Sequence, residues 1–190
     1  MTTPVPFLIP ALWIAWVIYW MLSAAKVKDT ARRESFSARA GHALPLIAAL
    51  LLLGPPHFLE EFLPGRMLPE GPATFWTGVI ILAAGLAFMV WARIFLGHNW
   101  SATVTIKHDH ELIRGGPYRF VRHPIYTGAM IAIIGTWVAH GQWRGLLGLL
   151  IVFAALWRKL RIEERWLSET FGERYAKYRS EVAALIPFVL

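Results

Sequence analysis

Residues 75–96 read FWTGVIILAAGLAFMVWARIFL, and this stretch decides the class of the fold. About 20 apolar residues in a row match a hydrocarbon core of ~30 Å. The one charge, Arg93, lies near the end of the run, where a long side chain can snorkel to the interface. Working outward, four more apolar blocks follow at 7–25, 43–59, 124–140 and 143–157. The 190-residue chain is 56% apolar and 16% charged, against roughly 25% charged in an ordinary globular domain. That composition excludes a soluble domain. The length fits one domain, so the expected fold is all-α and integral to the membrane, with about five transmembrane helices.

The blocks differ in quality. The first carries Trp13, Trp16, Tyr19 and Trp20, an aromatic load consistent with interface anchoring. It has no basic residue before it and no small-residue cleavage site after it, so it reads as a retained helix. The second is clean only over 43–53 before Gly54, Pro55 and Pro56 interrupt it. A proline pair breaks or kinks a helix, leaving a kinked crossing or a re-entrant segment. The loop 60–72, rich in Pro, Gly and Glu, reads as exposed. Gly141 and Gln142 join the last two blocks into a tight helical hairpin. From Arg158 a charged helix is expected to run to about Val182, with Ile162, Trp166, Leu167, Phe171, Tyr175 and Tyr178 near one face.

The formal charge is +7, and the basic residues flank the apolar blocks. Anionic lipid headgroups are therefore the expected partner, not nucleic acid. With five spans, 16 of the 19 Lys and Arg fall in residues 26–42, 97–123 and 158–190, all on one side. Arg66 and Arg144 fall on the other. Basic loops stay inside, which puts the N-terminus outside and the C-terminus in the cytoplasm. The absence of cysteine excludes disulfides, thiol catalysis and cysteine-ligated metals. His42, His57, His98, His108, His110 and His140 show no ligand spacing, so no metal is expected.

Two stretches on the inner side carry candidate chemistry. GGPYRFVRHPIYTG, residues 115–128, crowds Arg119, Arg122 and His123 at the start of span four. Pro124 suits a first helical position, where a missing N–H costs nothing. Arg119 alone reads equally well as an interface anchor; His123 and Tyr126 offer directional hydrogen bonds. RKLRIEERWLSETFGERYAKY, residues 158–178, places Glu163 and Glu164 just past span five, preceded by Arg158, Lys159 and Arg161. Such acid–base spacing is common on solvated helix faces. It also places a carboxylate and a cation together at the membrane surface.

In order, the chain shows LGHNWS (96–101), HELI (110–113), Gly116-x-Tyr118, RHPIY (122–126), Glu163–Glu164, FGERYAKY (171–178) and Pro187. This ordered set resembles the isoprenylcysteine carboxyl methyltransferase family and its membrane phospholipid methyltransferase relatives. The resemblance implies S-adenosyl-L-methionine as cofactor, held at the cytosolic face in a pocket closed by the C-terminal helix. It implies one membrane methyltransferase domain, 1–190, with spans one to three in 1–96 and the cofactor-binding and catalytic half in 97–190. By carry-over, His110, Glu111, Leu112, Ile113, Tyr118, Arg122, His123, Pro124, Ile125, Tyr126 and Glu163 bind the cofactor. Glu163, Glu164, Arg161 and Arg158 are the catalytic candidates. A carboxylate and aromatic faces suit a sulfonium and an α-amino group, and methyl transfer rewards positioning above acid–base help.

The implied acceptor is a lipophilic substrate from the bilayer: a prenylated cysteine or similar isoprenoid-bearing acid, or a phospholipid amine. Where the family has an arginine to hold a substrate carboxylate, this chain has Lys159, a weaker bidentate partner. Arg158 or Arg161 could take that role. Two other readings compete. An NADPH-dependent membrane sterol or lipid reductase also carries basic and aromatic motifs at late spans. A transporter would need ionisable residues deep in its spans, and the chain has almost none.

Overall fold

The computed structural model describes residues 7–24, 30–33, 35–53, 63–100, 105–107 and 111–187. Six helices carry the fold: α1 (Leu8–Ala24), α2 (Phe36–Leu53), α3 (Pro72–Leu96), α4 (Pro124–His140), α5 (Trp143–Phe171) and α6 (Glu173–Glu181). Two short strands, β1 (Thr30–Arg33) and β2 (Thr105–Lys107), pair antiparallel. The fold is all-helical as expected, with this one small ribbon added to it. It ties the segment after α1 to the segment after α3.

The first five helices alternate in direction. Ser23 at the end of α1 meets Arg93 at the end of α3. Gly78, near the start of α3, abuts Ala139, near the end of α4. Gly41 of α2 lies against Arg158 of α5, and Leu52 against Arg144. One end of the bundle thus gathers the ends of α1 and α3, the starts of α2 and α4, and the second half of α5. α4 is central, with α1 and α3 on one side and α2 and α5 on the other, each side closing its own apolar cluster. Trp13, Ile125 and Ala129 touch both clusters.

α3 and α4 approach through small residues. A Cβ on Gly78 would lie 2.3 Å from the Ala139 N, on Gly85 2.4 Å from the Ala132 N, and on Gly135 2.2 Å from the Leu82 N. Backbones in such contact pack by dispersion alone, the mode helices use where lipid removes the hydrophobic drive. Elsewhere the helices turn apolar side chains outward: Ile14 and Leu22 of α1, Ile47 and Leu50 of α2, Ile80 and Ile94 of α3, Leu147 and Leu150 of α5 are all exposed. So much exposed apolar surface marks contact with something other than water. α2 and the stretch Pro72–Asn99 are long and apolar enough to cross a membrane, and α1 is apolar but one residue short of that length test.

Several expectations are corrected. Arg93 does not snorkel; it is buried, donates to the Gly97 and Ser23 carbonyls at 2.8 and 2.5 Å, and stacks 4.6 Å from the Trp100 ring centroid. It adds a donor to one carbonyl at the end of α1 and one just past α3, and so pins α1 to α3. The tryptophans of α1 form a ladder on one helix face, Trp13–Trp16 at 5.7 Å and Trp16–Trp20 at 4.7 Å, continued to Trp100. Trp13 Nε1 donates to Thr136 Oγ1 of α4 at 3.1 Å, so these rings face the bundle. α2 begins at Phe36, seven residues before the apolar block, because Ser35 Oγ accepts from the Ala38 N–H and opens the helix early. The break at 54–56 lies outside the described residues. The charged helix expected from Arg158 is the continuation of α5, and it stops at Gly172, whose φ of +51° ends the helix and lets α6 turn away.

Candidate active site at the polar end of the bundle

The site is assembled where α4 begins. Pro124 occupies the first turn of α4, which the chain enters from a non-helical His123 (φ −123°, ψ 61°). Tyr126 follows one turn on, so its ring stacks on the His123 imidazole, centroids 5.5 Å apart and planes 1° from parallel. α5 extends past this point, and Lys159 and Glu163, four residues apart, share the face that meets these rings.

The contacts are specific. Tyr126 Oη donates to Glu163 Oε1 at 2.6 Å. His123 Nδ1 lies 3.5 Å from Glu163 Oε2, and Nε2 lies 3.4 Å from Glu164 Oε1 without hydrogen-bond alignment. Arg122 grips Glu164 Oε1 through Nε at 2.8 Å and Nη2 at 2.5 Å. Arg179 of α6 approaches the other Glu164 oxygen at 3.7 Å. Lys159 Nζ sits 5.5 Å from the Tyr126 ring centroid.

The two carboxylates differ in access. The Glu164 side chain is 7% exposed and enclosed by cations, whereas Glu163 is 25% exposed. Glu163 is therefore the one open to a ligand, and Glu164 is a brace. Burial would raise both carboxyls, but the contacts outweigh it. His123 and Arg122 hold Glu164 down to about 2; His123, Lys159 and Tyr126 hold Glu163 below its usual range. For His123, burial disfavours the cation, yet the close Glu163 and Glu164 carboxylates overcome it and raise the imidazole. The centre is an imidazole between two carboxylates, which favour its charged form.

A C-terminal segment clasps this cluster. The Arg122 and His123 N–H groups donate to the Ala183 and Ala184 carbonyls at 2.9 and 3.0 Å, and Thr127 Oγ1 donates to the Leu185 carbonyl at 2.7 Å. Arg122 Nη1 also bonds the Val182 carbonyl. Tyr118 is buried in the short 3-10 turn Gly116–Arg119, and its carbonyl accepts from Tyr178 Oη. Burial and the nearby Glu163 charge push the Tyr118 hydroxyl upward, so it stays neutral.

Of the residues expected at the site, Tyr118, Arg122, His123, Pro124, Tyr126, Lys159, Glu163 and Glu164 come together. Ile125 faces the apolar clusters beside them. The exposed Glu111 has its N–H 3.4 Å from Asn99 Oδ1, and Leu112 and Ile113 are half-buried; His110 lies outside the described residues. Arg158 turns away, donating to the Ala38 carbonyl of α2 at 3.1 Å. Arg161 is exposed and shares a face with Arg165 and Ser168, roughly opposite Lys159 and Glu163 around the helix. Sequence reasoning missed Arg179, Thr127 and the clasp at 182–185. The clasp works through backbone groups, which leave no residue signature.

Comparison with known proteins fits this arrangement. Residues 73–174 match the family model described as phospholipid methyltransferase. Protein-S-isoprenylcysteine O-methyltransferase A of Arabidopsis thaliana is 30% identical over 69% of this chain and 70% of its own length. The Saccharomyces cerevisiae protein-S-isoprenylcysteine O-methyltransferase is 32% identical over 59% of this chain and 48% of its own. The solved structure of a eukaryotic intramembrane Ras methyltransferase, an isoprenylcysteine carboxyl methyltransferase, superposes with a TM-score of 0.59 at 22% identity, covering 82% of this chain and 55% of that one. The chain thus spans about half the length of the yeast relative and of the solved structure, and their likeness in the latter case is one of fold. With more than half of its residues inside the family model and a plant relative matched over two thirds of both chains, the chain belongs to the isoprenylcysteine carboxyl methyltransferase family and its phospholipid methyltransferase relatives.

Proposed function

We propose that this chain is an S-adenosylmethionine-dependent membrane methyltransferase that esterifies the carboxylate of a prenylated cysteine or a similar isoprenoid-bearing acid. The observation that carries the reading is the open, ionised Glu163 carboxylate set against the stacked His123–Tyr126 rings, with the Lys159 ammonium beside it. A cofactor bearing a sulfonium and an ammonium needs an accessible carboxylate and aromatic faces, and this donor set fits it. Bound there, S-adenosylmethionine supplies an electrophilic methyl group.

The chain's own residues do the rest. Glu163 faces the cofactor's positive groups, with Tyr118, Pro124, Ile125 and Tyr126 as walls. His110, Glu111, Leu112 and Ile113 complete the pocket, chiefly through backbone groups. Arg122 and Glu164 lock the orientation of His123, and α6 with the clasp closes the pocket. Lys159 offers the acceptor carboxylate a point charge in place of a bidentate arginine. Apolar surroundings exclude water, which favours attack by a carboxylate.

In this reading residues 1–190 form one domain that crosses the membrane five times, with 97–190 as its cofactor-binding and catalytic half. The alternating directions of α1 to α5 support it, as does the gathering of basic residues at one end, which sets the C-terminus in the cytoplasm. The chain lacks cysteine, so single introduced thiols report sidedness cleanly. Lys177→Cys should label only from the cytoplasmic side and Arg66→Cys only from the opposite side; the reverse pattern would invert the topology.

The central test is calorimetry with S-adenosylmethionine on purified protein. Saturable binding is expected, weakened by Glu163→Ala; no binding to the wild type overturns the reading. Radiolabelled methyl transfer into host extracts, followed by base, then identifies the acceptor. Volatile methanol marks an ester. Base-stable label marks a methylated amine, the chemistry of a phospholipid acceptor.

A further inference from the structure

The face of α5 opposite Glu163 holds a second polar cleft, which meets the methyl-transfer reading only at the Glu164 brace. It is lined by Arg161, Glu164, Arg165, Ser168, Glu169 and Arg179. Arg161 and Arg165 lie four residues apart on one helix face, both exposed, and neither makes an ion pair or side-chain hydrogen bond among the described residues. Like charges at that spacing repel and weaken a helix. Arg179 of α6 supplies a third guanidinium across the cleft, with its Nε 3.7 Å from Glu164 Oε2 and its two Nη groups left to the opening. Of the two carboxylates, Glu164 is sealed behind Arg122 and His123, so its charge is already compensated. Ser168 spends its hydroxyl proton on the Glu164 carbonyl, leaving its oxygen lone pairs.

The level of the cleft along α5 is the second observation. At 1.5 Å per residue, Arg161 lies about 27 Å and Arg165 about 33 Å along the helix from Trp143. A hydrocarbon core of ~30 Å starting near Trp143 ends between them. In the proposed crossing of α5, the Arg161 and Arg165 guanidiniums stand near headgroup height, on the helix whose first half exposes Leu147, Leu150 and Phe153. Three forked donors around one opening match phosphate oxygens better than any neutral headgroup.

We infer that Arg161, Arg165 and Arg179 form a phosphate-binding site for an anionic phospholipid headgroup, separate from the cofactor pocket on the other face of α5. The site rests on the proposed crossing of α5 but not on methyl transfer, and its test needs no activity. Purified protein is placed in nanodiscs of phosphatidylcholine alone and of phosphatidylcholine with phosphatidylglycerol. Phosphatidylglycerol should raise the Tm by roughly 2–4 °C. The rise should vanish in Arg165→Gln, shrink in Arg165→Lys, and persist in Lys177→Gln, which removes an exposed charge at the same end outside the cleft. Native mass spectrometry should show retained phosphatidylglycerol on the wild type and on Lys177→Gln, and none on Arg165→Gln. Inorganic phosphate in phosphatidylcholine nanodiscs is the second arm. A rise there that equals the lipid's assigns the site to free phosphate and overturns the headgroup assignment. Equal rises in wild type and Arg165→Gln, or no rise in the wild type, overturn the site altogether.

Discussion

The two ends of α4 are held by opposite forces. From Gly128 to Ala139 it lies against α3 backbone to backbone, through glycine and alanine, with no charge in the seam. In its first turn, Pro124 to Thr127, Ile125 still meets the apolar clusters, but polar contacts fix the rest: Glu163, the clasp carbonyls, and the Arg122–Glu164 pair just ahead. The seam tolerates no added atom because nothing there can move. The polar turn tolerates changes of shape but not an unmatched charge. One helix thus teaches that a membrane fold can fix position by contact and build chemistry by charge within a single element.

The contrast breaks most completely at the seam. Gly85→Leu would drive its side chain into the Ala132 backbone and should abolish monodisperse protein on size-exclusion chromatography; a stable, monodisperse variant would refute the backbone contact. Arg122→Met comes next. It leaves the buried Glu164 without its main partner and should cost about 3 kcal/mol in thermal unfolding. Adding Glu164→Leu should restore most of that loss, because a buried pair replaced by apolar groups is nearly neutral. Tyr126→Phe removes a hydrogen bond to an ionised carboxylate, worth about 1.5–3 kcal/mol. The bond exists in the fold without ligand, so Tm should fall by a few degrees and S-adenosylmethionine affinity by about tenfold or more in calorimetry.

The smallest effect is the dependence on pH. Glu164 is held near 2 in the folded state, below its ordinary 4.5, so its contribution is present above 4.5 and lost as pH falls through 2. His123 is raised above its ordinary 6.5. Its contribution is full below 6.5 and disappears as pH rises through the folded value. Tm should therefore decline on the alkaline side of neutrality in the wild type and stay flatter there in His123→Gln. Parallel curves would mean that the imidazole is not charged in the fold.

Much of this was legible in the chain itself. Apolar block lengths located α1, α3, α4 and the start of α5 closely, because long apolar runs leave the backbone little choice but helix. RHPIY and the glutamate pair marked the site, since proline, aromatic and acidic residues each carry a directional constraint. The α3–α4 seam was written as Gly78 and Gly85 facing Gly128, Ala132, Gly135 and Ala139, at steps of three, four and seven. It went unread because small residues look like filler until the opposite helix is known. Arg93 and the α1 tryptophans were misplaced for a related reason: both could face lipid headgroups or the bundle, and only the partner helix decides. The charged continuation of α5 concealed its break at Gly172, where one positive φ angle turns the chain.

The glycine seam also constrains traffic. An isoprenoid or acyl tail cannot slip between two helices whose main chains touch, so α3 and α4 act as a closed wall on that flank. Any lipid that reaches Glu163 from the bilayer must come by another door, and selectivity for its tail would be written on whichever helices frame that opening.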